Sequence, residues 1–339
     1  MTKKEEARKL WEMCFDDFPG FTELYFKKRY TDQNTIAVYR DDQMVSVLQL
    51  LSYPFYFLNQ TSKSAYISGA CTHIDYRNKG AMHQLLVESL KHLNQTNVPI
   101  CTLIPAEEWL FGYYQKTGFE TLFYNSKFEL QLPNLITNDD VVVSFNNNFD
   151  AQTYEYFNKM TRQRKAVLLH PEKDMEVVMD DLIMAEGKLF IARKHTQILG
   201  LLFAYFDPTQ KTIYVNEVLA DTCDIKQELF KGAAKYFGSD KLMVTAPAYH
   251  LPKQPFGMLR IVQALPILKV FAQANPSWQD EFIREDSIIG ENQGTYKIEK
   301  SRVSFSSKRS KKVIKELNIN ELAIELFDKL NPYMSLMLD

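Results

Sequence analysis

The chain has 339 residues, of which 45% are hydrophobic and 24% charged, enough for two or three domains with substantial cores. Its 40 Lys and Arg nearly cancel its 42 Asp and Glu, so no global field favours nucleic acid or a membrane surface. The four cysteines, Cys14, Cys71, Cys101 and Cys223, share no CxxC spacing, which fits neither a zinc site nor a disulfide framework.

The N-terminus is charged and amphipathic rather than a secretory signal, and no apolar run approaches ~20 residues, so a cytoplasmic location is expected. Residues 4–15 carry Leu10, Trp11, Cys14 and Phe15 on one helical side. Pro19 and Gly20 interrupt, and a second helix is predicted over 21–29. A hairpin follows: strand 36–40, a turn at Asp41-Asp42, and a returning strand 44–53. Strand 66–73, loop 75–80 and helix 81–94 come next. The helix is marked by Leu85, Leu86 and Leu90 at helical spacing. Strand 98–104, a helix over 107–117 closed by Gly118, and strand 119–130 complete a unit the size of one α/β domain.

Residues 133–140 read as a linker. The theme then repeats: helix 150–164, strands 188–194, 198–206 and 212–220, helix 224–237 and strand 241–247. Pro252, Pro255 and Gly257 mark a second boundary. Beyond it the pattern predicts a helix over 258–274 interrupted by Pro266, strands 280–287 and 294–304, a charged loop over 306–312, strand 313–319 and helix 320–330. Three domains are expected, at 1–135, 136–250 and 251–339.

The stretch from Tyr66 to Phe119 is where chemistry concentrates. A strand that feeds a Gly-containing loop and then a helix N-terminus is an anion site. Its outward backbone N–H groups and the helix dipole suit a phosphate or pyrophosphate. The corresponding loop of the repeat, Asp221-Thr222-Cys223-Asp224, has no glycine and two carboxylates that would repel such a group.

Arg77-Asn78-Lys79-Gly80-Ala81-Met82 resembles the R/Q-x-x-G-x-G/A loop of the GCN5-related N-acetyltransferase (GNAT) superfamily, which grips the coenzyme A pyrophosphate. The last position departs from the motif, with Met82 where the family has glycine or alanine. Downstream, Tyr113-Tyr114-Gln115-Lys116-Thr117-Gly118-Phe119 resembles the family's Y-x-x-x-G-F element. Two acetyltransferase-like domains followed by a C-terminal piece resemble, more narrowly, the enhanced-intracellular-survival (Eis) type with its sterol-carrier-like domain. Gly294 to Glu299 and Leu317 to Leu322 carry that last likeness.

The resemblance implies an α/β (α+β) fold of two tandem mixed-sheet GNAT-like domains and a sterol-carrier-like domain, with acetyl-CoA as co-substrate and no metal. Backbone groups of Ala70, Cys71, Thr72, Asn78, Lys79, Gly80, Ala81, Met82 and His83 would hold it. Tyr114 would protonate the departing thiolate, and the C-terminal carboxylate of Asp339 would act on the incoming amine. The implied partner is a small-molecule or peptide amine such as an aminoglycoside, a polyamine or a lysine side chain. A tendency to form homo-oligomers is implied as well, and no nucleic acid or membrane partner is expected.

The chemistry is coherent. An ammonium of pKa ~10.4 must lose a proton before it attacks a thioester, and a thiolate of pKa ~8.5 leaves faster with a proton donor beside it. A terminal carboxyl near ~3.5 is a poor base unless desolvation raises it. The side-chain carboxyl of Asp339 is a second candidate for that role. Cys71 has no histidine placed to activate it and reads as a strand residue. His73 and His83 read as loop and helix-surface residues. Glu107 and Glu108 either draw a cationic acceptor or simply suit a helix N-terminus. The rival functions are a transferase with another acyl donor and a non-enzymatic ligand- or lipid-binding protein on the same scaffold.

Overall fold

The computed structural model describes residues 1–17, 20–132, 140–248, 252–309 and 315–337. Pro19, most of the expected linker, the basic residues Lys311 and Lys312, and Asp339 lie outside them. The chain forms two compact units. One comprises residues 1–123 with 256–332, and the other comprises 124–255 with the tail from Tyr333.

The first unit begins with α1 (Lys3–Cys14), opened by a capping box in which Thr2 and Glu5 satisfy each other's backbone amides. Helix α2 (Phe21–Lys28) follows, then strands β1 (Thr35–Arg40), β2 (Gln43–Phe57) and β3 (Gln60–Thr72). The β2–β3 turn at Leu58-Asn59 uses two left-handed residues, φ 48° and 60°, as a tight hairpin of this hand requires. Then come α3 (Ala81–Gln95), β4 (Ile100–Leu103), α4 (Glu108–Gln115) and β5 (Glu120–Gln131), within which the chain passes into the second unit.

β1, β2 and β3 pair antiparallel, and β4 joins β3 in parallel. Strand β2 is buried almost continuously from Met44 to Leu51, because both faces of the sheet are covered. On one face α3 inserts Leu85, Leu86, Leu90 and Leu93 against Val45, Leu48, Ile67 and Leu103.

The second unit contains β6 (Val142–Asn146), α5 (Ala151–Thr161), β7 (Ala166–Leu168), α6 (Glu172–Met184) and β8 (Lys188–Lys194). It continues with β9 (Gln197–Asp207), β10 (Thr212–Ala220), α7 (Cys223–Phe237) and β11 (Lys241–Pro247). Its sheet runs β5-β11-β10-β9-β8-β6, antiparallel except for the β10–β11 pair. The order of hairpin, third strand, helix and parallel fourth strand is the one found in the first unit.

Helix α6 and strands β6 and β7 are not anticipated by the sequence reading. Met175, Val178, Met179 and Leu182 nonetheless carry helical spacing behind Pro171, and all four are buried. The tail is bound to this unit rather than frayed. Tyr333 exchanges backbone hydrogen bonds with Ala166 and Leu168. The Ser335 carbonyl meets His170 Nε2 at 2.7 Å, and its hydroxyl donates to buried Glu217 at 2.7 Å.

The chain re-enters the first unit through β12 (Gln254–Ile261), which pairs antiparallel with β4 from Met258 to Ile261. The expected helix over 258–274 is therefore corrected: Met258 to Ile261 is strand, and α8 (Ala264–Ala274) starts after it. An apolar run buried on every side has no periodicity to separate helix from strand. β13 (Asp280–Glu285), β14 (Gly294–Glu299), β15 (Arg302–Ser306) and β16 (Lys315–Asn318) form a four-stranded sheet, followed by α9 (Ile319–Phe327). The single strand expected over 294–304 is instead the β14–β15 hairpin, turned at left-handed Lys300 and Ser301.

This returning segment is tied to the first 123 residues by a fully buried ion cluster. Arg260 Nη2 meets both Asp286 oxygens at 2.7 and 2.8 Å, and its Nε donates to the Thr117 carbonyl at 3.0 Å. Arg284 adds a second guanidinium at 3.3 Å, and Asn292 donates to Asp286 at 2.9 Å. Gly118 (φ 86°) is needed beside it. A Cβ there would lie 2.6 Å from Arg260 Nε and 2.8 Å from Ile319.

Desolvation pushes the Asp286 carboxyl up, yet Arg260 and then Arg284 hold it below the usual carboxylate range. Its contribution to stability is therefore complete above pH ~3.9 and is lost as pH falls through the lower folded value. Asp286→Asn leaves two buried guanidiniums without a counter-charge and should cost about 3–5 kcal/mol in urea unfolding. The joint replacement Arg260→Met with Asp286→Leu should cost less than the sum of the two single changes, and it still leaves Arg284 without its counter-charge.

Candidate functional site

The candidate site starts from an irregularity in β3. Between the pairs Gln49–Ser68 and Val47–Cys71, two residues of β3 oppose one of β2, a bulge built on Gly69 at φ 60°. A Cβ on Gly69 would sit 1.9 Å from the Trp11 ring and 2.8 Å from Gln49 Oε1, so α1 presses directly on the bulge. Gln49 is fully buried and its Nε2 has no hydrogen-bond partner among the described residues.

Beyond Ile67 and Leu103 the parallel pairing of β3 with β4 stops, although β3 continues to Thr72. The last stretch of β3 thus carries backbone groups on the side β4 has left. The His73 amide donates to Val45 on β2, and strand alternation turns the Thr72 amide to the opposite side. The Cys71 carbonyl accepts from Ser46 Oγ at 3.0 Å.

The loop then climbs through a 3₁₀ turn at Ile74–Tyr76 to Arg77-Asn78-Lys79-Gly80. Asn78 (φ 60°) and Gly80 (φ 80°) take left-handed conformations. Gly80 is the N-cap of α3 and offers no side-chain cap, and no acidic residue occupies the first turn. The Gln84 amide is the first to close on a helix carbonyl, that of Gly80. The amides of Ala81, Met82 and His83 therefore have no acceptor within the helix. A Cβ on Gly80 would meet nothing within 4 Å, so the end of the helix is open in front. That combination of bare donors, helix dipole and absent carboxylates suits an anion.

The second unit's counterpart is closed. Thr222 caps α7 by accepting from the Ile225 amide, Asp224 stands in the first turn, and Asp221 accepts from Tyr156.

Each residue expected at the site can now be placed. Asn78, Lys79, Gly80 and His83 are exposed, Ala70 and Met82 are half-buried, and Cys71, Thr72 and Ala81 are buried. Met82 packs its side chain toward the α3 core, so the bulky residue does not fill the space before the loop. Arg77 turns back, with Nε 3.2 Å from the Thr72 carbonyl and Nη2 3.7 Å from Cys14 Sγ. Lys79 lies over the Tyr76 ring, 5.6 Å from its centroid. His73 accepts from the Asp75 amide at 3.2 Å, a local turn bond.

Tyr114 is on α4 with only 7% of its surface exposed, its ring edge-on to Tyr113 and Phe119. Burial, and secondarily Tyr113, pushes its phenol up to about 12, so it is protonated at neutral pH. No hydrogen bond holds its hydroxyl among the described residues. Glu107 and Glu108 are exposed at the start of α4, and the Trp109 indole donates to Glu107 at 2.5 Å. Asp339 lies outside the described residues. Sequence reasoning missed Trp11, Ser46, Gln49 and Arg260. A mid-strand glycine such as Gly69 was the available sign of the bulge. Among the described residues no group of His, Cys, Asp and Glu is clustered as for a metal ion, and no helix is long and apolar enough to cross a membrane.

Comparison with known proteins agrees with the geometry. Residues 2–122 match the family model described as an acetyltransferase (GNAT) domain. No curated protein matches the sequence. Among solved structures, the chain is similar to a GCN5-related N-acetyltransferase from Anabaena variabilis ATCC 29413, at 16% identity and TM-score 0.76. That match covers 97% of this chain and 96% of the other. A conserved protein of unknown function from Enterococcus faecalis V583, described as a probable N-acyltransferase, matches at 16% identity and TM-score 0.75, covering 95% and 86%. Eis1 from Mycobacterium abscessus matches at 11% identity and TM-score 0.68, covering 96% and 87%. At these identities the solved structures establish the fold.

The two left-handed glycines separate experimentally. Gly80→Ala should cost only the conformational penalty of about 1–2 kcal/mol. Gly69→Ala adds the collision with Trp11 and should lose clearly more in urea unfolding. Equal losses would contradict the close approach of α1.

Proposed function

We propose that the protein is an acetyl-CoA-dependent N-acetyltransferase. The observation that carries the reading is the open, uncapped N-terminus of α3 behind left-handed Asn78 and Gly80, within the stretch that matches an acetyltransferase domain. The amides from Asn78 to His83 would take the pyrophosphate of the co-substrate. The Thr72 amide, with Ala70 and Cys71 beside it, would take the pantetheine and acetyl groups. The acceptor is a primary amine of the aminoglycoside, polyamine or lysine class. The three-domain division at 1–135, 136–250 and 251–339, the sterol-carrier-like character of the last part, a cytoplasmic location and homo-oligomer formation belong to the same reading.

In the reaction the free amine attacks the thioester carbonyl, and the tetrahedral adduct collapses with loss of the coenzyme thiolate. Tyr114 serves that departure. A phenol at about 12 facing a thiol of pKa ~8.5 disfavours full proton transfer by about 5 kcal/mol, at roughly 1.4 kcal/mol per unit. Tyr114 therefore works by hydrogen-bond donation to the developing charge, and its proton is not committed until the thiolate is replaced. The acceptor ammonium is prepared by a carboxylate, for which the C-terminal group of Asp339 is our candidate.

Four measurements test this. Acetyl-CoA at ~100 times its dissociation constant should stabilise the chain by roughly 2.7 kcal/mol, and the absence of any thermal shift would leave only a binding function for other ligands. Tyr114→Phe should reduce kcat by roughly 10²-fold with little change in acetyl-CoA affinity. Wild-type turnover should show no alkaline loss from Tyr114 below pH 10, because the phenol stays protonated there. Deleting Asp339, or extending the chain beyond it, should each lower turnover, and full activity in both variants would remove the terminal carboxylate from the mechanism.

A further inference from the structure

Cys14 and Cys71 are far apart in sequence, yet their thiols lie in hydrogen-bond contact, one at the last residue of α1 and the other on β3. Both are free. Cys14 is half-buried, while Cys71 is 4% exposed. Arg77 completes the cluster, with Nη2 3.7 Å from Cys14 Sγ. Opposing groups are present too. The Thr72 carbonyl is 3.4 Å from Cys14 Sγ, and the C-terminal end of α1 disfavours negative charge.

The thiol donated by Cys71, followed by the Arg77 guanidinium, outweighs desolvation and draws the Cys14 thiol down to about 6. Cys71 is pushed well up, first by the Cys14 thiolate and then by burial. One thiol that can reach solvent is thus ionised, and its buried neighbour keeps its proton. This is the asymmetry of an attacking and a resolving cysteine.

We propose that Cys14 and Cys71 form a redox pair in which a hydroperoxide oxidises Cys14 and Cys71 resolves it as an intramolecular disulfide that fastens the end of α1 to β3. The Cys14 thiolate attacks the outer peroxide oxygen, the O–O bond breaks, and Cys14 becomes a sulfenic acid as hydroxide or alkoxide leaves and takes a proton. The Cys71 sulfur then attacks the Cys14 sulfur. The S–O bond breaks, and the departing oxygen leaves as water with the Cys71 proton. Two thiols and one hydroperoxide yield one disulfide, one water and one further water or alcohol. The sulfurs must close to about 2.05 Å, which requires the last turn of α1 to shift toward β3. Arg77 loses its thiolate partner in the process, and α1, which carries Trp11 over the Gly69 bulge, is pinned to the strand it shapes.

The test uses the full chain and does not depend on any acetyltransferase activity. At pH 6 about half of Cys14 is thiolate, against roughly 0.3% for a thiol of pKa ~8.5. Lower intrinsic nucleophilicity returns about tenfold of that advantage. Iodoacetamide should therefore alkylate Cys14 about tenfold faster in the native protein than in the urea-unfolded chain, despite its partial burial. Arg77→Met should slow that reaction severalfold. After hydrogen peroxide, non-reducing peptide mapping should find Cys14 joined to Cys71, reversibly with dithiothreitol. In Cys71→Ser a dimedone adduct should accumulate on Cys14. Native alkylation no faster than unfolded would overturn the proposal, and so would a peroxide product joined through exposed Cys223 instead.

Discussion

The guanidinium of Arg260 is the constraint on which the first unit depends. It is a charge with no access to water, and its position is tolerable only because Asp286 neutralises it with two bonds while Thr117 and Ile261 accept the remaining donors. Thr117 and Asp286 come from distant parts of the chain, and Ile261 is Arg260's own neighbour. Thr117 lies just past the end of α4, the helix that bears Tyr114, and its hydroxyl closes back on the Tyr114 carbonyl at 2.8 Å. The segment that follows Tyr114 is thus seated, through one carbonyl, on an ion pair supplied from more than 140 residues downstream. A buried ion pair adds little net stability over an apolar replacement, but it punishes mispairing severely. Here it allows the returning segment one seat only.

The same economy governs the anion end of the site. Nothing in the loop 77–80 is chemically unusual. Its capacity comes from what is withheld: a side-chain cap, a carboxylate in the first turn, and a Cβ on Gly80. The second unit repeats the framework with all three supplied, by Thr222, Asp224 and side chains throughout the loop. One architecture yields a bare helix terminus in one place and a self-satisfied one in the other, and the difference lies in a handful of side chains.

Much of this was legible in the sequence, for a physical reason. The amphipathic α3 and the Gly-containing loop before it are local patterns, decided by residues within a turn or two of each other, and β3, α3 and α4 fall within a few residues of expectation except where β3 begins earlier. What was not legible depends on distant partners. Met258 to Ile261 is strand because the exposed edge of β4 needs pairing, which no window around those residues records. Nothing next to Arg260 in sequence marks it as buried, because Asp286 and Thr117 reach it from elsewhere in the chain. Cys14 and Cys71 have no sequence spacing that announces a pair, since 56 residues of chain fold back between them. Met82, which departs from the motif, packs its side chain against the α3 core, a direction that the hexapeptide alone does not record.

The contact between Trp11 and Gly69 ties the fate of two distant codons together. The indole occupies the volume that any side chain on residue 69 would need, so the bulge and the helix above it can vary only as a pair. A lineage that enlarges residue 69 must first shrink residue 11, or shift α1, and in either case it reshapes the end of β3 that leads into the loop before α3. The N-terminal helix is therefore a template for the bulged end of β3, and selection on the shape of that strand acts on the first fifteen residues of the protein as well.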